Sequence, residues 1–242
     1  MSKIIVLVLL IAGLAVGVFL VGRQTGFFSK ADISTEPQEI KVSNISDNGF
    51  TVSWITAKPT VGFVQFGESE SLGDTTDDDR DARPRLTHHV TLKNLSPQTI
   101  YFYKINPGSN IAQQTTAPVT QNPPAVPEPI FGKALKADGS MPAEALVYLQ
   151  LPGGSLLSSY TRDQGNWLIT LNNARTKDLA DYITVSDEDV VSVLVSGEGK
   201  AEVQGKVSDK DAFSQITLGH TGDLNGDGVI NVFDYILSFT KK

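Results

Sequence analysis

The sequence predicts a mainly β protein, two antiparallel β-sandwich modules behind an N-terminal apolar helix, with a short acidic loop and helix at the C-terminus. Three observations lead to this reading. Residues 4–22 are uncharged and apolar throughout. From Pro37 onward, short runs rich in Val, Ile, Thr and aromatics alternate with Asp, Asn, Gly and Pro turn signals, the pattern of antiparallel sandwiches. Helical periodicity is absent until the last ten residues or so.

The apolar run of residues 4–22 would reach about 28 Å as a helix, close to the hydrocarbon thickness of a bilayer. It is longer than the apolar region of an ordinary signal peptide, and the small-x-small site Ser29-Lys30-Ala31 sits well beyond its end. We therefore expect residues 1–22 to be a retained transmembrane anchor, with a cleaved signal peptide as the alternative. Residues 23–35 read as a polar stalk. The expected location is the cell membrane, single-pass with the bulk extracellular, or a secreted form if the segment is removed.

Residues 36–117 form the first expected module, with strands near 38–43, 49–55, 62–67, 86–92 and 99–105. Phe50, Val52 and Trp54 alternate with Thr51 and Ser53, which predicts one buried face and one wetter face. Residues 118–129 lie in a stretch unusually rich in proline, a semi-rigid extended spacer. Such linkers carry few contacts, so the two modules are expected to melt independently. Residues 130–219 form the second module, with strands near 130–136, 145–151, 158–161, 166–171, 182–185 and 190–195. Residues 220–242 form the C-terminal unit.

In the first module the run Leu95-Ser96-Pro97-Gln98-Thr99-Ile100-Tyr101 has the spacing of a tyrosine corner, in which a phenol closes over a turn and bonds to the backbone. With Trp54 on the second strand, this resembles a fibronectin type III domain. The piece Lys58-Pro59-Thr60-Val61-Gly62-Phe63-Val64-Gln65-Phe66-Gly67 is similar to the sandwich preceding the catalytic domain of purple acid phosphatases, and that resemblance implies a fold and no activity. In the second module, Ile130-Phe131-Gly132-Lys133, Asp138-Gly139 and Thr161-Arg162-Asp163-Gln164-Gly165-Asn166-Trp167 resemble carboxypeptidase-regulatory-like, transthyretin-type sandwiches.

The clearest chemical signal is the loop beginning at Asp223. Oxygen-bearing side chains stand at loop positions one, three, five, nine and twelve (Asp223, Asn225, Asp227, Asn231, Asp234), with Gly228 at six and the Val229 carbonyl at seven. This is the calcium-loop spacing of an EF-hand, which supplies Ca²⁺ with hard oxygen ligands around a sharp glycine turn. The form D-x-N-x-D-G-x-x-N-x-x-D resembles a type I dockerin repeat. Dockerins pair two such repeats and one is legible here, so the resemblance implies calcium binding more directly than a cohesin partner.

Net charge is −7, which argues against nucleic-acid binding. There is no cysteine, which removes disulfides, thiolate metal sites and cysteine nucleophiles. The motifs H-E-x-x-H, G-x-S-x-G and the Walker glycine loop are missing. Adjacent His88 and His89 point to opposite sides of a strand and cannot share an ion, so they and His220 are expected on surfaces or turns. Asp77–Asp81 reads as a solvated loop, and Trp54 and Trp167 as core residues rather than sugar platforms. No catalytic residue is expected. The expected role is a non-catalytic cell-surface adhesion or display protein with a calcium-binding tip and a surface-protein or glycan partner. Two alternatives are a dockerin-bearing component of an extracellular polysaccharide-degrading assembly and an accessory or fragment related to purple acid phosphatase.

Overall fold

The computed structural model describes residues 35–122, 129–142, 144–209 and 211–219. The segment 4–22, the loop 223–234 and His220 lie outside the described residues. Among the described residues, no helix is long and apolar enough to cross a membrane.

The first sandwich has seven strands: β1 (Gln38–Ser43), β2 (Gly49–Thr60), β3 (Phe63–Gly67), β4 (Asp74–Asp77), β5 (Arg85–Lys93), β6 (Ile100–Asn106) and β7 (Ile111–Thr115). They form a three-stranded sheet, β1-β2-β5, facing a four-stranded sheet, β4-β3-β6-β7. Pairing is antiparallel throughout. Register places Phe50, Val52 and Trp54 opposite Leu92, Val90 and His88. The core is built from Phe50, Val52, Trp54, Val64, Val90 and Leu92 with Tyr101, Tyr103 and Ile105 from the facing sheet. The tyrosine corner closes as the spacing requires, the Ser96 N–H donating to the Tyr101 hydroxyl at 3.0 Å. Strands β4 and β7 escaped sequence reading because DTTD and IAQQT carry little apolar alternation.

The second sandwich contains β8 (Ile130–Lys136), β9 (Leu146–Gln150), β10 (Leu157–Tyr160), β11 (Asn166–Ile169), β12 (Val190–Ser196), β13 (Lys200–Lys206) and β14 (Gln215–Leu218). One sheet has the order β10-β9-β12-β13 and the other β11-β8-β14. Strand β14 runs parallel to β8, a departure from the all-antiparallel expectation. Its core joins Val147, Leu149, Trp167, Val191, Val193, Val195, Phe213 and Ile216. Trp54 and Trp167 are both core residues, as expected. Residues 182–185 form no strand; Tyr182 makes only an isolated bridge to Arg175.

The expectation of a wetter outer face on β2 is overturned. Thr51 and Ser53 are as fully buried as Phe50 and Val52. On the other module, Leu146 and Tyr148 of β9 are buried yet lie outside the second core. Both faces are covered because the outer surface of β1-β2-β5 packs against the outer surface of β9 and β10.

Candidate functional site: the seam between the sandwiches

The seam is held by polar groups that the local pattern assigns to solvent. Asn44 follows β1 with φ of 52°, a left-handed conformation asparagine tolerates better than most residues. Its Nδ2 donates to the Ser158 carbonyl at 3.1 Å and hydroxyl at 3.0 Å, and its Oδ1 accepts from the Ser158 N–H at 2.9 Å. The Asn44 backbone N–H also donates to the Leu156 carbonyl at 2.9 Å. Nearby, Ser53 Oγ lies 2.9 Å from the Tyr148 hydroxyl, and burial pushes that phenol up to about 12.

A second group of contacts gathers at Glu144. Arg85 donates to its carboxylate at 2.6 Å, and the Thr87 hydroxyl donates to its carbonyl at 2.6 Å. Arg80 reaches the same carbonyl at 3.3 Å while gripping both oxygens of Asp78 and lying over the Tyr160 ring. Asp78 is buried, and its second oxygen also accepts the His89 N–H at 3.0 Å. The acidic run read as a solvated loop is therefore structural at Asp78 and Asp79, while Asp81 pairs with the exposed Arg83 and the buried Arg85. Sequence spacing offered no sign of this, because Asp78 and Asp79 find partners on β5 only where the chain folds back 10 to 12 residues later, and Arg80 is itself anchored at Glu144, 64 residues away.

The histidines also depart from expectation, since both are buried. They do point to opposite faces. His88 enters the first core and stacks on Trp54 at 4.7 Å, and burial pulls its pKa down to about 4, the nearby Asp78 opposing and Arg80 reinforcing the shift. His89 faces the seam, with Nδ1 2.7 Å from Asp79 and Nε2 2.9 Å from the Ser158 hydroxyl. Burial would raise the Asp79 pKa, but hydrogen bonds from His89 and Thr91 outweigh it and the net shift is downward.

Asp79, His89 and Ser158 thus stand in the order of an acid–base–nucleophile triad. The hydroxyl's bonding argues against that chemistry. With Asp79 holding the proton on His89 Nδ1, Ser158 donates its hydrogen to Nε2. Its two lone pairs then meet Asn44 Nδ2 and the Ser43 hydroxyl, the latter at 2.6 Å. Both lone pairs are then engaged on a buried hydroxyl, and neither is free to approach a carbonyl. The arrangement is a satisfied buried polar network, which fixes one relative placement of two surfaces.

The linker joins the same seam rather than holding the modules apart. Arg175 is buried, donates to the Pro118 carbonyl at 3.2 Å, lies 3.6 Å from Asp47 and covers the Tyr182 ring at 4.2 Å. Asn122 donates to Asp181 at 2.7 Å. The expectation that few contacts cross this linker is therefore corrected: proline removes N–H donors, but its carbonyls still accept bonds. Beside the network the seam opens into a cleft of about 500 Å³, with walls from both sandwiches.

Among the described residues no group of three or more His, Cys, Asp or Glu is placed to hold a metal. The loop residues Asp223, Asn225, Asp227, Val229, Asn231 and Asp234 lie outside the described residues.

The three-plus-four strand arrangement and the tyrosine corner define a fibronectin type III-like sandwich. More particularly, residues 37–121 match the family of the purple acid phosphatase N-terminal domain. These are non-catalytic domains. No curated protein sequence matches the chain. Among solved structures, the FN1–FN3 domains of chicken CNTN1 are similar at 12% identity and a TM-score of 0.26, covering 71% of this chain and 66% of that one. The central fibronectin-III array of RIM-binding protein is similar at 12% identity and a TM-score of 0.27, covering 74% and 65%.

Proposed function

We propose that the chain is a non-catalytic, membrane-anchored extracellular protein that displays a coupled pair of β-sandwiches and carries a calcium-binding tip. The observation that carries this reading is the seam, where polar side chains with catalytic potential are engaged in joining two modules. Such a joint suits a stiff spacer or adhesive arm. The apolar run 4–22 supports the anchor, and the spacing from Asp223 to Asp234 supports a Ca²⁺ ligand set of Asp223, Asn225, Asp227, the Val229 carbonyl, Asn231 and Asp234. Three carboxylates repel one another in a tight loop and favour a divalent cation. A lone loop lacks the rigidifying partner of an EF-hand pair, so affinity falls at the weak, extracellular end, about 10⁻⁵–10⁻³ M. Calorimetric titration of the full chain should show one Ca²⁺ per molecule, abolished by Asp223→Ala or Asp227→Ala. Unchanged binding in both variants, or none in the parent at millimolar calcium, would remove the tip from this reading. The dockerin-like spacing favours a second reading, recruitment by a cohesin-type partner. Calcium-dependent capture by an immobilised cohesin, lost in the same variants, would favour it.

A further inference from the structure

The cleft beside the seam carries chemistry that the joint itself does not use. Its walls come from both sandwiches: Lys93 ends β5 of the first and Asn94 follows it, while Leu157, Leu168, Thr170 and Asn173 belong to the second. The side chains of Lys93, Asn94, Thr170 and Asn173 are exposed, and no other described residue hydrogen-bonds to them. Asn94 is held at φ of 59°, so its amide is presented from a defined turn rather than a continuing strand. The volume of about 500 Å³ falls within the range of small-molecule sites, roughly 300–1,000 Å³.

The lining restricts what such a site accepts. No carboxylate faces the cleft, which argues against a metal ion or an organic cation. One lysine is a weak basis for a phosphate group, which calls for several donors or paired cations. What remains is dominated by amides and hydroxyls, with Leu168 the exposed leucine of the lining. Amides present a donor and an acceptor side by side and suit vicinal hydroxyls, while the exposed Leu168 side chain suits the C–H face of a pyranose ring. We infer that the inter-module cleft binds a short oligosaccharide, held by Asn94 and Asn173 from opposite walls. Because each wall belongs to a different sandwich, the site exists only while the seam is closed. The inference goes beyond the display role and does not rest on the calcium loop.

The test uses the full chain in a detergent without a sugar headgroup, with xylotetraose, cellotetraose and chitotetraose as probes. Saturation-transfer NMR and calorimetry should detect binding of at least one probe. Asn94→Ala and Asn173→Ala should each weaken it about tenfold or more, as expected for lost bidentate hydrogen bonds. Gln215→Ala, on β14 away from the cleft, should leave it unchanged. Absence of binding by all three probes up to about 10 mM would overturn the inference. So would binding that neither asparagine substitution alters.

Discussion

Replacing Asn44 should uncouple the two sandwiches without unfolding either. Its side chain makes three hydrogen bonds to Ser158 across the seam, two from Nδ2 and one to Oδ1. At a net of about 0.5–1.5 kcal/mol each, with the shared Nδ2 bonds at the lower end, these contribute roughly 2–3 kcal/mol. The Ser158 N–H is also left without its partner, so the loss in Asn44→Gly is about 3 kcal/mol. Asn44→Ala should cost about 1 kcal/mol more, because φ of 52° places its Cβ against the carbonyl. Each sandwich has a single tryptophan, Trp54 or Trp167, so 5-fluorotryptophan labelling gives one ¹⁹F resonance per module with no core substitution. In a fragment of residues 35–219, both native resonances should disappear at the same urea concentration. In Asn44→Ala the two transitions should separate, the less stable module shifting down by about 1 M or more for a urea slope of 1–3 kcal/mol/M. Separate transitions in the parent fragment, or coincident and unshifted ones in the variant, would refute the coupling.

Two further outcomes follow from individual positions. His88 is buried with its pKa lowered to about 4 from 6.5, so the unfolded chain takes up a proton that the folded chain refuses. Its contribution is present above about pH 6.5 and lost as pH falls towards 4, up to about 3 kcal/mol; urea midpoints should track this, and His88→Phe should flatten the dependence in that window. Gly132 packs so tightly that an added Cβ would overlap the Phe213 carbonyl oxygen, a backbone atom that cannot swing aside. Gly132→Ala should therefore lower stability by about 3 kcal/mol or more, read by thermal melting, and an unchanged melt would show that β8 and the segment before β14 can separate at little cost.

The sequence by itself determined what is local. Period-two alternation placed Phe50, Val52 and Trp54 in a core, and strands β1 and β8 match their expected limits. The spacing from Leu95 to Tyr101 determined the tyrosine corner, because that contact spans only five residues. Opposed side chains on one strand correctly separated His88 from His89. Alternation shows that Thr51, Ser53 and His89 share a face, but it does not show what covers that face. Ser53 and His89 meet Tyr148 and Ser158, which lie 95 and 69 residues further along the chain, and hydroxyl-rich strands read alike whether they meet water or a matching polar surface. The same ambiguity hid Asp78 and Asp79 within an acidic run and cast the prolines as a separator, although Pro118 accepts a bond from Arg175. Only the tertiary structure decided that these groups meet, because the free energy of a buried polar contact depends on both partners being present and aligned.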